Sequence, residues 1–246
     1  NLGNIYFQLD KVEKSIDFYY LSLNQDQNDK LIINNLIKAQ IKKRNIEEID
    51  KLLDKAKSID DKYPEYLHNK AELLILKKKF DDAIIILKNL IKIHKDPKHA
   101  LLLSKIYFTL GETEIGNNLI KETAISFPSD LLVKNFKGMR DLFDGNFEDG
   151  WHGYEFRISA LNKLYTEVPE WKGQTLMDKK ILVYNEQGIG DAIQFSRYLF
   201  PLNKICKHID FLLNEKICGM FKNNIEGINI ISKKDLILTK YDFKIP

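Results

Sequence analysis

Cysteine is scarce in this 246-residue chain, which contains only Cys206 and Cys218. The two do not form a CxxC pair, and they lack the dense, even spacing of a secreted disulfide framework. Such usage is typical of proteins that work under reducing conditions. We therefore expect a cytoplasmic protein.

Long hydrophobic runs are also missing, because lysines interrupt even the most apolar segments, such as "AIIILKNLIKIHK" (83–95). No run reaches the roughly 18 to 20 residues that a membrane-spanning helix needs. The charge is nearly balanced, with 38 Lys and Arg against 35 Asp and Glu, and the basic residues are scattered. We expect no membrane span and no nucleic-acid partner.

A starting methionine is absent, since residue 1 is Asn1 and "NLGNIYF" begins in the middle of a pattern. We expect the chain to be a fragment whose natural N-terminus lies upstream. The lack of a signal peptide is then uninformative.

What the chain does have is an internal repeat over its first 157 residues. Three columns of residues recur at successive separations of 34, 34, 33 and 34 positions. Small residues in two of the columns would let paired helices approach closely, while a large residue fills the space between them. The columns are Ser15, Ile49, Ala83, Gly116 and Gly150; Tyr19, Leu53, Leu87, Ile120 and Tyr154; and Ser22, Ala56, Leu90, Thr123 and Arg157.

This spacing resembles the tetratricopeptide repeat, and Pro64, Pro97 and Pro128 fall between units, where helices start or stop. We predict an α-solenoid of about five repeats over residues 1–160, the first cut short and the second and last irregular. The resemblance implies a right-handed superhelix whose concave face binds peptides or partner proteins. A spacer or dimerisation arm is the alternative, because the expected concave positions show no basic clamp or aromatic groove.

The last unit is rich in aromatic residues, with "DGNFEDGWHGYEFR" at 144–157. Trp151 and Tyr154 lie three positions apart and hence on one helix face. We predict that they cap the end of the solenoid and dock the next domain, and that His152 faces solvent.

The pattern then changes. Residues 161–178 lack a helical period and are predicted to be a connector. Beyond them, apolar runs at 180–185, 209–214 and 227–232 read as strands, and Asp191–Lys204 and 215–223 read as helices. This order predicts a parallel sheet, and "LILTKYDFKIP" leads into a fourth strand. We assign residues 179–246 to an incomplete Rossmann-like domain.

The turn "NEQGIGD" (185–191) follows the first strand of this domain. Gly188 and Gly190 would permit positive φ and a close backbone approach to an anion or a sugar, and Asp191 is a good N-cap by residue type. A phosphate-binding P-loop is excluded because no GK[ST] follows. A dinucleotide site is disfavoured because Ile193 stands where its third glycine belongs.

The string "EQGIGDAIQFSRYL", preceded by "GYEFR" and "PEWKGQTL" and followed by "YDFKIP", resembles bacterial proteins that join tetratricopeptide repeats to a glycosyltransferase-like domain of the GT-B type. These are related to the heptosyltransferase and O-linked N-acetylglucosamine transferase groups. The resemblance implies a nucleotide-sugar donor, held by a second Rossmann-like half that follows the "YDFKIP" string and is absent here. It also implies a protein or glycan acceptor presented by the repeats.

The resemblance implies site residues too. Asp191, in the Gly190-Asp191 pair, is the candidate general base for an acceptor hydroxyl. The remaining candidates for substrate binding are Glu186, Gln187, Gly188, Gly190, Gln194 and Arg197. "NEQG" departs from the apolar residues usual in heptosyltransferases, which argues for a different acceptor. We expect no metal and no cofactor.

Plainer readings remain open for these residues. Asp191 would only cap the helix, and Glu186 would only end the strand. Arg197 would either contact a phosphate or carboxylate of the ligand or pair with Glu186. In the rival hypothesis for the whole chain, it is a non-catalytic interaction scaffold with a degenerate α/β domain.

Overall fold

A computed structural model describes residues 2–157, 165–186, 188–222 and 224–246. The chain divides into two compact units, Asn1–Leu161 and Asn162–Pro246. No helix among the described residues combines the length and the apolar character needed to cross a membrane.

The first unit is helical. Each helix packs against the next, and α3 also contacts α5 as α7 contacts α9, as expected for stacked helix pairs. The helices are α1 Leu2–Gln8, α2 Val12–Leu23, α3 Lys30–Lys43, α4 Ile46–Ile59, α5 Pro64–Leu76, α6 Phe80–Ile93, α7 Pro97–Thr109, α8 Thr113–Ser126, α9 Leu131–Phe143 and α10 Phe147–Tyr154.

The sequence repeat determines where these helices begin and which face they bury. Pro64 and Pro97 occupy the first positions of α5 and α7, where the missing N–H costs no hydrogen bond. The side chains of the N-cap residues Asp29, Asp96 and Asp130 accept backbone N–H groups of the first turn. The first column, Ser15 to Gly150, is buried throughout, so the periodic prediction of helix pairs is confirmed.

Helices α9 and α10 approach each other closely at two glycines. A Cβ atom added to Gly138 would lie only 2.5 Å from the carbonyl carbon of Gly153. Beside this contact, Trp151 is 54% exposed and meets Tyr154 edge-on, with ring centroids 5.8 Å apart. His152 is exposed, as predicted. The docking role predicted for the two aromatic residues stays a prediction.

The second unit contains a four-stranded parallel sheet of order β3-β2-β1-β4. The strands are β1 Lys180–Tyr184, β2 His208–Leu212, β3 Asn229–Ile231 and β4 Phe243–Ile245. The helices are α11 Ile189–Phe195, α12 Leu199–Asn203 and α13 Glu215–Lys222, with 3-10 turns at Ser196–Tyr198, Lys233–Asp235 and Leu238–Lys240. The predicted parallel sheet is therefore present.

Alternation along the strands gives the sheet two buried faces. On one face, Ile181, Ile209 and Phe211 pack with residues of the helices, including Leu199 and Phe221. The opposite face consists of Leu182, Tyr184, Leu212 and Ile231, together with Val168 and Tyr241. A sheet covered on both sides explains why its strands are nearly continuous apolar runs.

The described part of the predicted connector, residues 165–178, lies along the edge of β4. Glu170 forms a parallel bridge with Lys244, whose backbone N–H donates to the Pro169 carbonyl at 2.8 Å. Val168 and Leu176 are buried. Residues 158–164, which include the start of that connector, lie outside the described residues.

Candidate functional site

The glycine turn differs locally from its sequence prediction. Helix α11 begins at Ile189, two residues before the predicted start at Asp191. Asp191 is therefore the third residue of the helix and not its N-cap. Its carboxylate Oδ2 reaches back and accepts the backbone N–H of Gly188 at 3.0 Å, which satisfies a donor that the helix leaves open. Asn185 closes the turn by donating from Nδ2 to the Gly188 carbonyl at 3.1 Å.

The two glycines do not use the conformational freedom expected of them. Gly188 has φ −74° and ψ 164°, and Gly190 is not among the glycines with positive φ. Among the described residues, a Cβ atom on Gly190 would meet nothing within 4 Å, and one on Gly188 would meet only the Asp191 carboxylate at 3.2 Å. The expectation of positive φ was wrong, because this backbone passes from an extended N-cap directly into a right-handed helix.

The other predicted site residues are distributed around this turn. Glu186 is half-buried, Gln194 is exposed, and Gln187 lies outside the described residues. Arg197 donates to the Tyr198 hydroxyl at 3.3 Å and lies 5.0 Å from the centre of its ring. A continuous helix from Asp191 would place Ile193 and Phe200 opposite Gln194 and Arg197, on its apolar side. In the structure they are 45% and 52% exposed. Ala192 and Leu199, seven positions apart and hence on one helix face, are buried instead.

A second candidate site lies on the first helices of the repeats. A cavity of about 290 Å³ is lined from α1, α3, α5 and α7, and we call it the first-helix groove. Three lysines and two glutamates face it, so it carries charges of both signs. Its lining residues are Phe7, Lys38, Ile41, Lys42, Glu65, His68, Asn69, Glu72 and Lys98. This set of charges was not singled out from the sequence.

Burial perturbs the ionisable groups of this groove. Desolvation, followed by repulsion from Lys98, lowers the pKa of Lys38. Desolvation raises the pKa of Glu72, although Lys38 and Lys105 oppose the shift. The charged forms of both side chains are thus less well stabilised here than in water, and each would gain from an added partner of opposite charge.

Lys98 is already paired. It contacts Asp96 at 2.7 Å and Glu65 at 3.4 Å, and although burial opposes it, these carboxylates raise the pKa of Lys98. The neighbouring His68 is a neutral imidazole at pH 7, since burial and then repulsion from His99 and Lys98 lower its pKa to about 4. The groove therefore offers Lys38 and Lys42 as its cations for an incoming ligand. Lys42 also forms an ion pair with Asp10, whose Oδ1 lies 2.5 Å from the Lys42 Nζ.

The sequence prediction also missed a buried carboxylate in the sheet. Asp210, in the middle of β2, is fully buried. It accepts hydrogen bonds at 2.6 to 2.7 Å from His208, Asn229 and Tyr241 and pairs with Lys240 at 2.7 Å. A lone charge within the apolar run "IDFLL" was the available signal.

Comparison with known sequences relates part of this chain to part of a longer protein. No family model matches the chain. Protein FlbA of Caulobacter vibrioides is 29% identical over 117 residues, which are 44% of this chain and 20% of FlbA. The chain thus spans about a fifth of the length of that relative.

Solved structures of repeat proteins are similar to this chain. A tetratricopeptide repeat protein from Parabacteroides merdae has a TM-score of 0.58 and 14% identity, and the match covers 66% of this chain and 63% of that protein. A thermophilic tetratricopeptide repeat protein of Thermus thermophilus has a TM-score of 0.56 and 13% identity, and the match covers 66% of this chain and 90% of that protein. PilF of Pseudomonas aeruginosa has a TM-score of 0.50 and 13% identity, and the match covers 67% of this chain and 75% of that protein. At such identities the likeness concerns the fold alone, and the helical unit has the fold of a tetratricopeptide-repeat protein.

Proposed function

We propose that the helical unit binds an extended, acidic segment of a partner protein in the first-helix groove. The observation that carries the proposal is the position of Lys38, which is half-buried in the groove. Burial there destabilises its charged form and lowers its pKa, so an added negative charge would stabilise the ammonium group. A carboxylate of the ligand would supply that charge. The neighbouring Lys42 would offer a second cation with which a ligand carboxylate could pair. The polar Asn69 and His68 would offer hydrogen bonds to the peptide backbone.

The groove proposal is tested by selecting peptides from a displayed library against the full 246-residue chain and measuring their affinities. Lys38→Met keeps most of the side-chain length but removes the charge. Because a hydrogen bond to a charged group contributes about 1.5 to 3 kcal/mol, we expect a loss of roughly 10- to 100-fold in affinity for acidic peptides. Lys121→Met, at an exposed position on α8, is the matched control and should bind normally. Equal affinities for the two variants would place the peptide elsewhere.

We further propose that the α/β unit is the acceptor half of a glycosyltransferase-like domain, and that the whole protein transfers a sugar from a nucleotide donor. The strand order supports this, because β1 has β2 on one side and β4 on the other, so the connections change direction beside the glycine turn. Open α/β sheets bind ligands at the carboxyl ends of strands at such a switch point. Gly190 also supports it, since neither its backbone angle nor its packing against the described residues requires glycine, and the missing side chain leaves room for a ligand.

In this mechanism Asp191 would act as the base. Its Oδ2 is held by Gly188, and Oδ1 would take the proton from the acceptor hydroxyl as that oxygen attacks the anomeric carbon and the nucleotide departs. Glu186, Gln187, Gln194 and Arg197 would bind the acceptor. The repeats would present the protein or glycan that carries it.

The experiment is a transfer assay on the whole protein with a panel of nucleotide sugars. Asp191→Asn should reduce kcat by about 10²- to 10⁴-fold while the affinity for the donor stays the same. Normal turnover by this variant would leave Asp191 as a helix-capping residue. Failure of the whole protein to turn over any donor would favour the rival function, a non-catalytic scaffold. The 246-residue chain by itself should neither bind a nucleotide sugar tightly nor turn it over.

A further inference from the structure

The loop between α6 and α7 brings metal-binding side chains together. In the sequence "HKDPKH" (94–99), His94 ends α6, Asp96 caps α7 and His99 lies in the first turn of α7. One ligand atom of each lies within 4.8 Å of the other two. We propose that His94, Asp96 and His99 form a zinc site that joins the end of α6 to the start of α7.

The nitrogen atoms have the spacing that zinc requires. Nδ1 of His94 lies 3.1 Å from Nε2 of His99. Two nitrogens bound tetrahedrally to zinc at about 2.0 to 2.1 Å would be about 3.3 Å apart, so a shift of a few tenths of an ångström admits the ion. Both rings must be in the neutral form to bind the ion.

The groups around these ligands already hold them in place. Nδ1 of His99 lies 3.0 Å from Nδ1 of His68 on α5. If His99 binds zinc through Nε2, its proton lies on Nδ1 and is donated to His68, the outer hydrogen bond that metal-bound histidines normally make. The Asp96 carboxylate is oriented by the backbone N–H of Lys98 at 2.9 Å and by its ammonium at 2.7 Å.

The chemistry of the set selects the metal. Two imidazoles and one carboxylate suit zinc and its neighbours among the transition metals, whereas magnesium and calcium prefer oxygen ligands alone. Three protein ligands leave a fourth position for water. His94 and Asp96 are half-buried, and His99 is fully buried.

The alternative is that the three imidazoles merely hydrogen-bond to one another in a chain. A neutral His94 donating from Nδ1 to His99, which in turn donates to His68, would satisfy every contact without an ion. Binding zinc requires His94 to carry its proton on Nε2 instead. The two arrangements are separated by metal titration.

The test is calorimetric titration of the metal-free 246-residue chain with Zn²⁺. We expect one saturable equivalent, a higher midpoint of thermal unfolding in the presence of zinc, and no response to Mg²⁺. His94→Gln and Asp96→Asn should each weaken binding at least tenfold, and asparagine preserves the helix cap. His68→Gln should weaken it by about 10- to 100-fold through the outer hydrogen bond. Far-UV circular dichroism confirms that each variant is folded.

The chain offers a matched control, because two of its five histidines lie elsewhere. The double variant His152→Gln/His208→Gln should bind zinc like the unmodified chain. Co²⁺ in place of Zn²⁺ should show the visible absorption of a four-coordinate ion, and this should be lost in His94→Gln and altered in His68→Gln. Absence of saturable zinc binding, binding that survives both His94→Gln and Asp96→Asn, or loss of binding in the control would each overturn the site.

Discussion

The Tyr241 hydroxyl donates a hydrogen bond to the Asp210 carboxylate at 2.6 Å, across 31 positions of sequence. Burial by itself would raise the pKa of Asp210. The surrounding donors, Lys240, Tyr241, Asn229 and His208, outweigh that effect and lower this pKa to about 2. The carboxylate therefore stays ionised inside the sheet, and Tyr241 in turn has its pKa raised, first by burial and then by this contact.

This contact predicts an acid dependence of stability. A carboxyl group with a lowered folded pKa stabilises the protein above its unfolded pKa near 3.8, and the contribution is lost as the pH falls through the folded value near 2. For Asp210 it amounts to about 2 kcal/mol at neutral pH. We expect Asp210→Asn to be less stable at pH 7 and to show a smaller loss of unfolding free energy between pH 4 and pH 2.

The measurement is urea unfolding of the α/β unit at a series of pH values. Trp171 packs against the core of that unit and reports its unfolding by fluorescence, provided that the other tryptophan is removed by Trp151→Phe. Glu226→Gln, at an exposed position, controls for the loss of one acidic group. Identical pH dependence in Asp210→Asn and in the unmodified protein would contradict the assignment.

The sequence could predict the helix pairs because their signal is local and repeated. Each column recurs at a spacing of 33 or 34 residues, and members such as Ala83 and Leu87 are buried in the helical core. The Asp210 cluster has no such period, since its four donors come from three separate segments of the chain, at 208, 229 and 240–241. The groove is similar: Lys38, Glu72 and Lys98 read separately as solvated charges, and only stacking of three helices brings them to one cavity.

At the glycine turn the sequence misassigned one role. Aspartate before an apolar-periodic segment is a common N-cap, but an acidic residue at the third helical position that reaches back to the N-cap backbone is an equally regular pattern. The helix begins two residues earlier than predicted, and this difference places Asp191 in the second pattern. The catalytic and binding roles of this turn stay predictions.

A second prediction concerns the contact between α9 and α10. Gly138→Ala places a methyl group against the backbone of Gly153, where no flexible side chain can move aside. We expect a loss of about 1 to 3 kcal/mol from overpacking. Gly219→Ala is the control, because this helical glycine has nothing within 4 Å of an added Cβ, and it should stabilise the protein by about 0.4 to 1 kcal/mol. Thermal unfolding followed by far-UV circular dichroism measures both; an unchanged Gly138→Ala midpoint would mean that the two helices separate without cost.

A third prediction separates folding from function at Gly190. Its φ is not positive and an added Cβ meets none of the described residues within 4 Å, so Gly190→Ala should stabilise the protein by about 0.4 to 1 kcal/mol. If a sugar hydroxyl approaches this backbone, the same substitution should lower transfer by the whole protein. A more stable variant with full activity would argue against ligand contact at Gly190.

The last prediction concerns the hydrogen bond between Gly188 and Asp191. Asp191→Ala removes the acceptor of the Gly188 N–H and should cost about 1 kcal/mol of unfolding free energy, the usual contribution of such a bond. Asp191→Asn keeps an oxygen acceptor and should lose only the interaction of the negative charge with the helix N-terminus, about 0.3 to 1 kcal/mol, which added salt would screen. Urea unfolding at low and high salt, followed through Trp171, distinguishes the two terms. If the alanine variant is as stable as the unmodified protein, the carboxylate has no structural role at the turn, and the proposed catalytic role is the one left to test.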